Sequence, residues 1–464
     1  MRRWKVGILG GGPGGLMTAY LLQKHSTVDV SVTIFEASNR LGGKIQSKRF
    51  QKLPVSYEAG AAELYDYSNT DADPLKELIT ELGLPLHRME GCSVIMENVR
   101  ISNCDDMRES LGISAAQALS EFDRSARDRI TPHEFYMADM ADMADTTNAA
   151  DTSQAEEKFS DVLKQILEPR ARCYIENLIH SDLATEPDKT NTSYGLQNYL
   201  MNHDAYLRLY TIEGGLERLP RELARRIRAT IHLEQPAVSL EKEGKELLRV
   251  TSVGKNTIQT EDFDFVIAAL PHNHLTSLEC RGSRLAEAMA RHRNHYEYPA
   301  HYLRVSILFD RPFWRERVEE SFLMLDAFGG CCLYDESSRD PGETHGVLGW
   351  LIGGECAKEM SLLEDEELIA RVRQSLPRVL GSNGDNYFLE GSVHRWTNAV
   401  NGMPGGKQQK NLDRRHQIEP IDHPNFFVVG DYLFDSTLNG VLDSAEYVVG
   451  WLTARMSDVD GGSV

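Results

Sequence analysis

Trp4-Lys5-Val6-Gly7-Ile8-Leu9-Gly10-Gly11-Gly12-Pro13-Gly14-Gly15 is the stretch that decides the fold. Trp4–Leu9 is a short apolar run, as a buried parallel strand requires. Leu16-Met17-Thr18-Ala19-Tyr20-Leu21-Leu22 follows the glycines with helical character. Gly10, Gly12 and Gly15 therefore supply a G-x-G-x-x-G pattern in its required context, strand before and helix after. The first glycine permits the tight turn, and the second lets the backbone approach a pyrophosphate. The third lets helix and strand pack closely, while the helix N-terminus at Pro13 and Gly14 faces the phosphate charge. A second strand pattern, Val28–Phe35, ends in Glu36, 21 residues past Gly15. An acid there accepts hydrogen bonds from the ribose hydroxyls of a dinucleotide. The unit reads as an α/β, Rossmann-like dinucleotide-binding fold.

Working outward, a chain of 464 residues exceeds the size at which one core keeps growing, so two or three domains are expected. A hydrophobic content of 41% with 26% charged residues is that of an ordinary globular protein. The net charge of −20 argues against a nucleic-acid partner and suits a cationic or neutral ligand, or simply solubility. The seven cysteines are scattered, with no Cys/His metal spacing, so no metal is expected and reduced thiols in a cytoplasmic protein are. Adjacent Cys331 and Cys332 read as buried small side chains or as a redox or flavin-linking pair. No signal peptide, membrane span or C-terminal anchor is recognisable, which again reads as cytoplasmic.

The next stretch, Glu36-Ala37-Ser38-Asn39-Arg40-Leu41-Gly42-Gly43-Lys44, resembles the E-x-x-x-R-x-G-G-[RK] segment of the flavin amine oxidase superfamily. That superfamily includes monoamine and polyamine oxidases and L-amino-acid oxidases, with protoporphyrinogen oxidases and phytoene desaturases as relatives. The resemblance implies FAD: Ala37 and Arg40 would approach the nucleotide, and Gly42, Gly43 and Lys44 would pass beside the flavin. Tyr57-Glu58-Ala59-Gly60-Ala61-Ala62 resembles the family's acid-x-Gly-Ala landmark, which places Gly60 and Ala61 beside the isoalloxazine. At the far end, Phe426–Val429 ends in Gly430-Asp431, and Asn439-Gly440-Val441 opens a helix. By resemblance Asp431 would bind the ribityl chain (the alternative is a strand-to-loop cap), and the helix start at Gly440 and Val441 would face the flavin carbonyl. Val238 lies in a strand pattern that, by resemblance, offers a backbone contact to adenine.

Ile212-Glu213-Gly214-Gly215-Leu216, with the amphipathic Arg218–Ile227 after it, resembles the family's return to the FAD domain, and Phe265–Leu270 reads as a further buried strand. The expected organisation is a discontinuous FAD domain from 1–90, 206–285 and 396–464. An inserted α+β substrate domain would come from 91–205, largely helical, and 286–395, with strands. The repeat Met137-Ala138-Asp139 to Met143-Ala144-Asp145 reads as an exposed loop.

His301–Phe309 reads as a strand leading into Pro312-Phe313-Trp314, the pattern in which amine oxidases carry a lysine where Arg304 falls. That lysine holds a water near flavin N5 and is tied to reaction with oxygen. Arginine keeps the charge without readily giving up a proton, so Arg304 is the catalytic candidate and the acceptor is oxygen or another oxidant. A structural pairing with an acid is the competing reading. Glu63 stands where L-amino-acid oxidases place a carboxylate-clamping arginine; it would repel a carboxylate and pair with an ammonium, or form a solvated rim. Trp396 marks the segment that offers an aromatic to the substrate, and Asn401–Pro404 lacks a cysteine, so the FAD is expected to be non-covalent. His272 and His274 either deprotonate an incoming ammonium or lie in a surface loop. The expected activity is oxidation of a C–N bond in an amine or modified amino acid, a small molecule, by hydride transfer to flavin N5. The alternatives are a polyene or porphyrinogen oxidase and a non-catalytic FAD-binding partner protein.

Overall fold

The computed structural model describes residues 2–68, 72–91, 93–132, 134–135, 157–244, 246–340, 342–381, 384–406 and 410–461. The Met-Ala-Asp repeat lies outside the described residues. The chain divides into two compact units, 1–45, 217–297 and 404–464 in the first, and 46–216 and 298–403 in the second. Residues 46–90 were expected with the nucleotide-binding part, but they group with the second unit. The reason is pairing: Leu64–Asp66 and Leu86–Met89 flank Arg208–Ile212, and Val94–Met96 pairs with Phe322–Leu325.

The first unit is built on a five-stranded parallel sheet in the order Ala229–His232, Val30–Phe35, Trp4–Leu9, Phe265–Ala268, Phe426–Val428. Its central strand is the N-terminal one, and Val6, Ile8 and Leu9 are buried as a two-faced strand demands. The second strand starts at Val30 rather than Val28 and stops at Phe35, one residue before Glu36. Pro13–His25 forms the first helix, with proline at its opening and no acidic residue in its first turn. Leu438–Gly461, the last helix, packs against it. A small sheet of Ile258–Phe263, Leu247–Val253, Ala237–Glu243 and Glu279–Cys280 completes the unit.

The second unit carries a seven-stranded sheet, ordered Phe388–Asn401, Pro299–Phe309, Gly346–Gly353, Cys331–Asp335, Phe322–Leu325, Val94–Met96, Val99–Ile101. Period-two alternation divides its side chains between two cores. Leu303, Val305, Cys331 and Leu333 join one, and Tyr302, Cys332, Tyr334 and Leu351 the other. The second core is closed by helices whose starts are written in the sequence. Asp73 accepts the Lys76 N–H, Asn103 those of Asp105 and Asp106, Glu168 that of Ala171, and Asn191 that of Tyr194. Among these, Pro169–Leu183 runs through the middle of the core and ends on Ala184 in a left-handed conformation. No helix among the described residues is long and apolar enough to cross a membrane.

Candidate functional site

In the first unit the glycine turn is built as its spacing requires. Gly10 has φ +109°, and a Cβ there would sit 2.4 Å from the Ala269 carbonyl oxygen. A Cβ on Gly15 would fall 2.0 Å from the Gly10 oxygen, so only glycine lets the helix seat on the strand. Gly12 has open space apart from Gly43, and Gly43 would approach the Gly12 Cα at 3.1 Å. Two bare backbones thus face each other above the uncapped start of Pro13–His25, whose free N–H groups and positive dipole end suit phosphate. Glu36 accepts the Gly11 N–H at 2.7 Å, and its other oxygen accepts the Ser38 N–H and hydroxyl at 2.8 and 2.7 Å. The carboxylate is thereby fixed at the end of its strand, with acceptor capacity left for ribose hydroxyls. Ala37 is exposed beside it.

Arg40 was expected at the diphosphate. Its guanidinium instead braces the loop, donating to the carbonyls of Leu41, Gly43 and Ile45, with Glu217 at 3.8 Å. Val238, the expected adenine contact, falls at a register shift between Ala237 and Ser239. Gly430 is extended, and Asp431 follows it, 8% exposed, ion-paired with Lys44 at 2.5 Å. A Cβ on Gly440 would strike the Asp435 carboxylate at 2.2 Å. Val441 sits where a side chain on Gly14 would meet it, tying the last helix to the glycine loop. This cradle fits a dinucleotide, since at each close approach a Cβ would occupy space that backbone must fill.

In the second unit Arg304 is 1% exposed. Its Nη2 pairs with Glu336 at 2.6 Å and its Nε donates to the Glu58 carbonyl at 2.7 Å. Glu336 also accepts the Glu58 N–H, and the Glu58 carboxylate pairs with Arg339 at 2.8 Å and accepts from Leu216 N–H and the Ser47 hydroxyl. Two arginines and two glutamates therefore close a buried, charge-balanced network. Burial pushes the Glu58 pKa up, opposed by Arg339 and the Leu216 amide. Two glycines make room for it: a Cβ on Gly349 would lie 2.1 Å from Glu336 Oε1, and one on Gly215 (φ +103°) 2.6 Å from Ser47 Oγ. Gly60 is buried and Ala61 exposed, with the preceding Ala59 carbonyl accepting from the Trp396 indole at 2.6 Å.

Beside this network lies a cavity of about 330 Å³. Glu63 lines it together with Asp182, Tyr65, Cys332, Met324 and Tyr334. Trp396 does not line it. Tyr334 covers the Arg304 guanidinium at 5.0 Å and hydrogen-bonds Glu63, whose Oε2 is buried without a hydrogen-bond partner. Burial raises the Glu63 pKa, opposed by Arg304 and by Tyr334. Asp182 accepts from the Asn202 side-chain amide at 3.1 Å. Burial pushes its pKa to about 7, with the Glu63 charge adding to the effect. Neither acid has an ion-pair partner among the described residues, whereas Glu320 pairs with Arg100 at 3.0 Å and Glu90 with Arg88 at 3.4 Å. Two carboxyls without an ion-pair partner in one cavity leave a place for a cation brought from outside.

The expected histidines lie elsewhere, in the first unit. His272 holds the Arg293 carbonyl at 2.8 Å, and both it and His274 belong to the short 3-10 turn His272–Ser277. Cys331 and Cys332 are buried thiols whose pKa values burial raises. No group of His, Cys, Asp and Glu among the described residues is arranged to hold a metal ion. Sequence reasoning missed Asp182, Tyr334, Glu336 and Arg339. The one available signal was the polar His180-Ser181-Asp182 inside an otherwise apolar helical stripe.

Residues 13–450 match the family model for flavin containing amine oxidoreductases. The chain belongs to that family. It is 26% identical over 329 residues to an L-amino-acid oxidase of Mus musculus, covering 67% of this chain but 48% of the relative. The chain thus spans about half the length of that curated relative. In fold it resembles a putrescine oxidase solved with putrescine bound, at TM-score 0.72 and 18% identity, covering 98% of this chain and 100% of the other. It resembles the cyclohexylamine oxidase of Brevibacterium oxydans at TM-score 0.73 and 15% identity, covering 98% and 99%. The flavin-dependent oxidoreductase class and the α/β architecture follow from the family.

Proposed function

We propose that this flavin amine oxidoreductase oxidises the C–N bond of a small amine whose ammonium group is drawn into the cavity by Glu63. The observation that carries this reading is the pair of carboxyls, Glu63 and Asp182, facing one cavity with neither in an ion pair among the described residues, although Arg88 and Arg208 also line it. A buried carboxylate against an ammonium is a strong, charge-assisted contact, and the same carboxylate rejects a free acid group. The apolar walls at Met324, Tyr65 and Cys332 suit a hydrocarbon body behind the charged end.

FAD is the cofactor we assign, held by Gly10, Gly12 and Gly15, by the start of Pro13–His25, by Glu36 on the ribose and by Asp431 on the ribityl chain. When bound it supplies the two-electron acceptor, taking a hydride equivalent at N5. Gly42-Gly43, fixed by Arg40, keeps the loop narrow enough for that approach. We take the FAD to be non-covalent, because Asn401–Pro404 offers no thiol, and the compartment to be the cytoplasm. Arg304 we read as a positioning residue: its guanidinium is locked to Glu336 and Glu58, and it acts on the cavity through Tyr334 and its charge on Glu63.

Anaerobic bleaching of the bound flavin by a panel of primary amines, diamines, amino acids, a polyene and a porphyrinogen tests this. Amines without a carboxylate should reduce it, and Glu63→Gln should weaken their binding about tenfold to a hundredfold, the worth of a charge-assisted hydrogen bond. Bleaching by the polyene or porphyrinogen alone overturns the reading, and bleaching by nothing points to a flavin-binding partner protein. Acid precipitation should release the FAD into the supernatant.

A further inference from the structure

Oxidation at the carbon next to nitrogen needs the nitrogen lone pair free, yet an alkylamine with a lysine-like pKa is neutral in roughly one molecule in a thousand or fewer at pH 7. Some group must remove the ammonium proton, or the reaction waits for the rare neutral form. His272 is committed to the Arg293 carbonyl in the other unit, and Arg304 to Glu336, so neither is free for that task.

Asp182 stands in the last turn of Pro169–Leu183, at the helix end whose dipole disfavours a carboxylate. Among the described residues its carboxyl has one donor, the Asn202 amide. The groups around it are Glu63 ahead of the strand Leu64–Asp66, Tyr65 on that strand, Tyr194 on Thr192–Leu200, Tyr302 on Pro299–Phe309, and Cys332 on Cys331–Asp335. Asp204, Arg88 and Arg208 line the same cavity, and Arg304 lies behind Glu63 and Tyr334. Among the described residues none of them is ion-paired with Asp182, and the Asn202 amide is what opposes the effect of burial on it. Glu63 differs, because Arg304 and the Tyr334 hydroxyl support its ionised form. Burial raises both, but only Glu63 has an arginine and a hydroxyl opposing the rise, and that difference divides the roles of anchor and base.

We propose that Asp182 is the base that takes a proton from the substrate's ammonium, while Glu63 holds the charge as it enters. One N–H bond breaks and one O–H bond forms on Asp182; the electron pair stays on nitrogen, the two charges cancel, and the proton returns to solvent when product leaves. A buried acid that titrates near 7 is a far better match to an amine than an ordinary carboxylate, and a neutral amine–acid pair is favoured over an ion pair in a low-dielectric cavity. This inference rests on the amine reading of the same cavity.

The test uses Asp182→Asn as FAD-loaded protein, with whichever amine reduces the wild type. At pH 7 its flavin-reduction rate constant should fall about a hundredfold, the worth of a positioned base. Above the amine's own pKa, where solution supplies neutral substrate, it should equal the wild type. The low-pH limb near 7 should be present in the wild type and absent in the variant. Asn202→Leu, which removes the one hydrogen bond to the carboxyl, should move that limb upward. A uniform loss at every pH overturns the base assignment and leaves Asp182 a mere ammonium contact. If no amine reduces the wild type, it is the amine reading that fails instead.

Discussion

At the scale of single residues, the cavity sets activity against stability. A carboxyl whose pKa in the folded state is near 7, against an ordinary value of 3.8, costs nothing where both forms are protonated and destabilises the fold progressively as pH rises through 7. Asp182→Asn should therefore melt several degrees higher than wild type at pH 8, by about 4 kcal/mol at most, with the gap closing as pH falls towards 4. Thermal unfolding monitored across pH checks this, and a variant less stable at pH 8 would falsify the burial argument. Glu63 was legible in the sequence, because it stands at a fixed distance from Gly60-Ala61. Asp182 showed only as part of the polar break His180-Ser181-Asp182, because it reaches the cavity through the packing of a helix 119 residues further on, and the break does not say what it faces.

Elements explain which parts of the site were readable. The glycine loop, its strand and its helix are contiguous, so periodicity and φ requirements fixed them together; the strand, the turn and Glu36 all stand as spacing demanded. A Gly15→Ala change should abolish FAD retention on gel filtration, since the added carbon would lie 2.0 Å from the Gly10 oxygen. Gly349 carries an equivalent constraint that no motif announces. Gly349→Ala should force Glu336 off Arg304, and leaving a buried charge unpaired costs about 3–5 kcal/mol, measurable by denaturant titration. The arginine on the strand Pro299–Phe309 was expected either in place of a lysine or paired with an acid; it is paired with an acid, and its partners come from Ser56–Glu58 and from the turn after Cys331–Asp335. Partners so far apart in sequence become visible only once the strands are paired.

For the molecule as a whole, the net charge is −20, and the cavity is lined by five acidic residues, Glu63, Glu90, Asp182, Asp204 and Glu320, against two arginines, Arg88 and Arg208. The second-order rate constant for flavin reduction by a cationic amine should fall as salt rises from 10 to 150 mM, because screening shortens the reach of that field. An uncharged analogue should show no such fall in stopped-flow measurements. The sequence reads as a discontinuous nucleotide-binding part and an inserted mixed part, and the chain divides into two discontinuous units. The first division comes at 45 rather than 90, since strand pairing groups 46–90 with the chain that returns near Arg208.

The strand order of the parallel sheet also sets a timetable for biosynthesis. Trp4–Leu9 and Val30–Phe35 leave the ribosome first, yet the sheet's outer strand, Phe426–Val428, and the helix that packs on the glycine loop leave last. Ala229–His232 and Phe265–Ala268 cover the two edges of that N-terminal pair, and at about 5–20 residues per second the open edge of Phe265–Ala268 then waits roughly 8–30 seconds for Phe426–Val428. Cofactor loading is accordingly a late event in the life of each polypeptide, and a ribosome stalled before residue 426 would hold a chain with the glycine turn present but its closing helix missing.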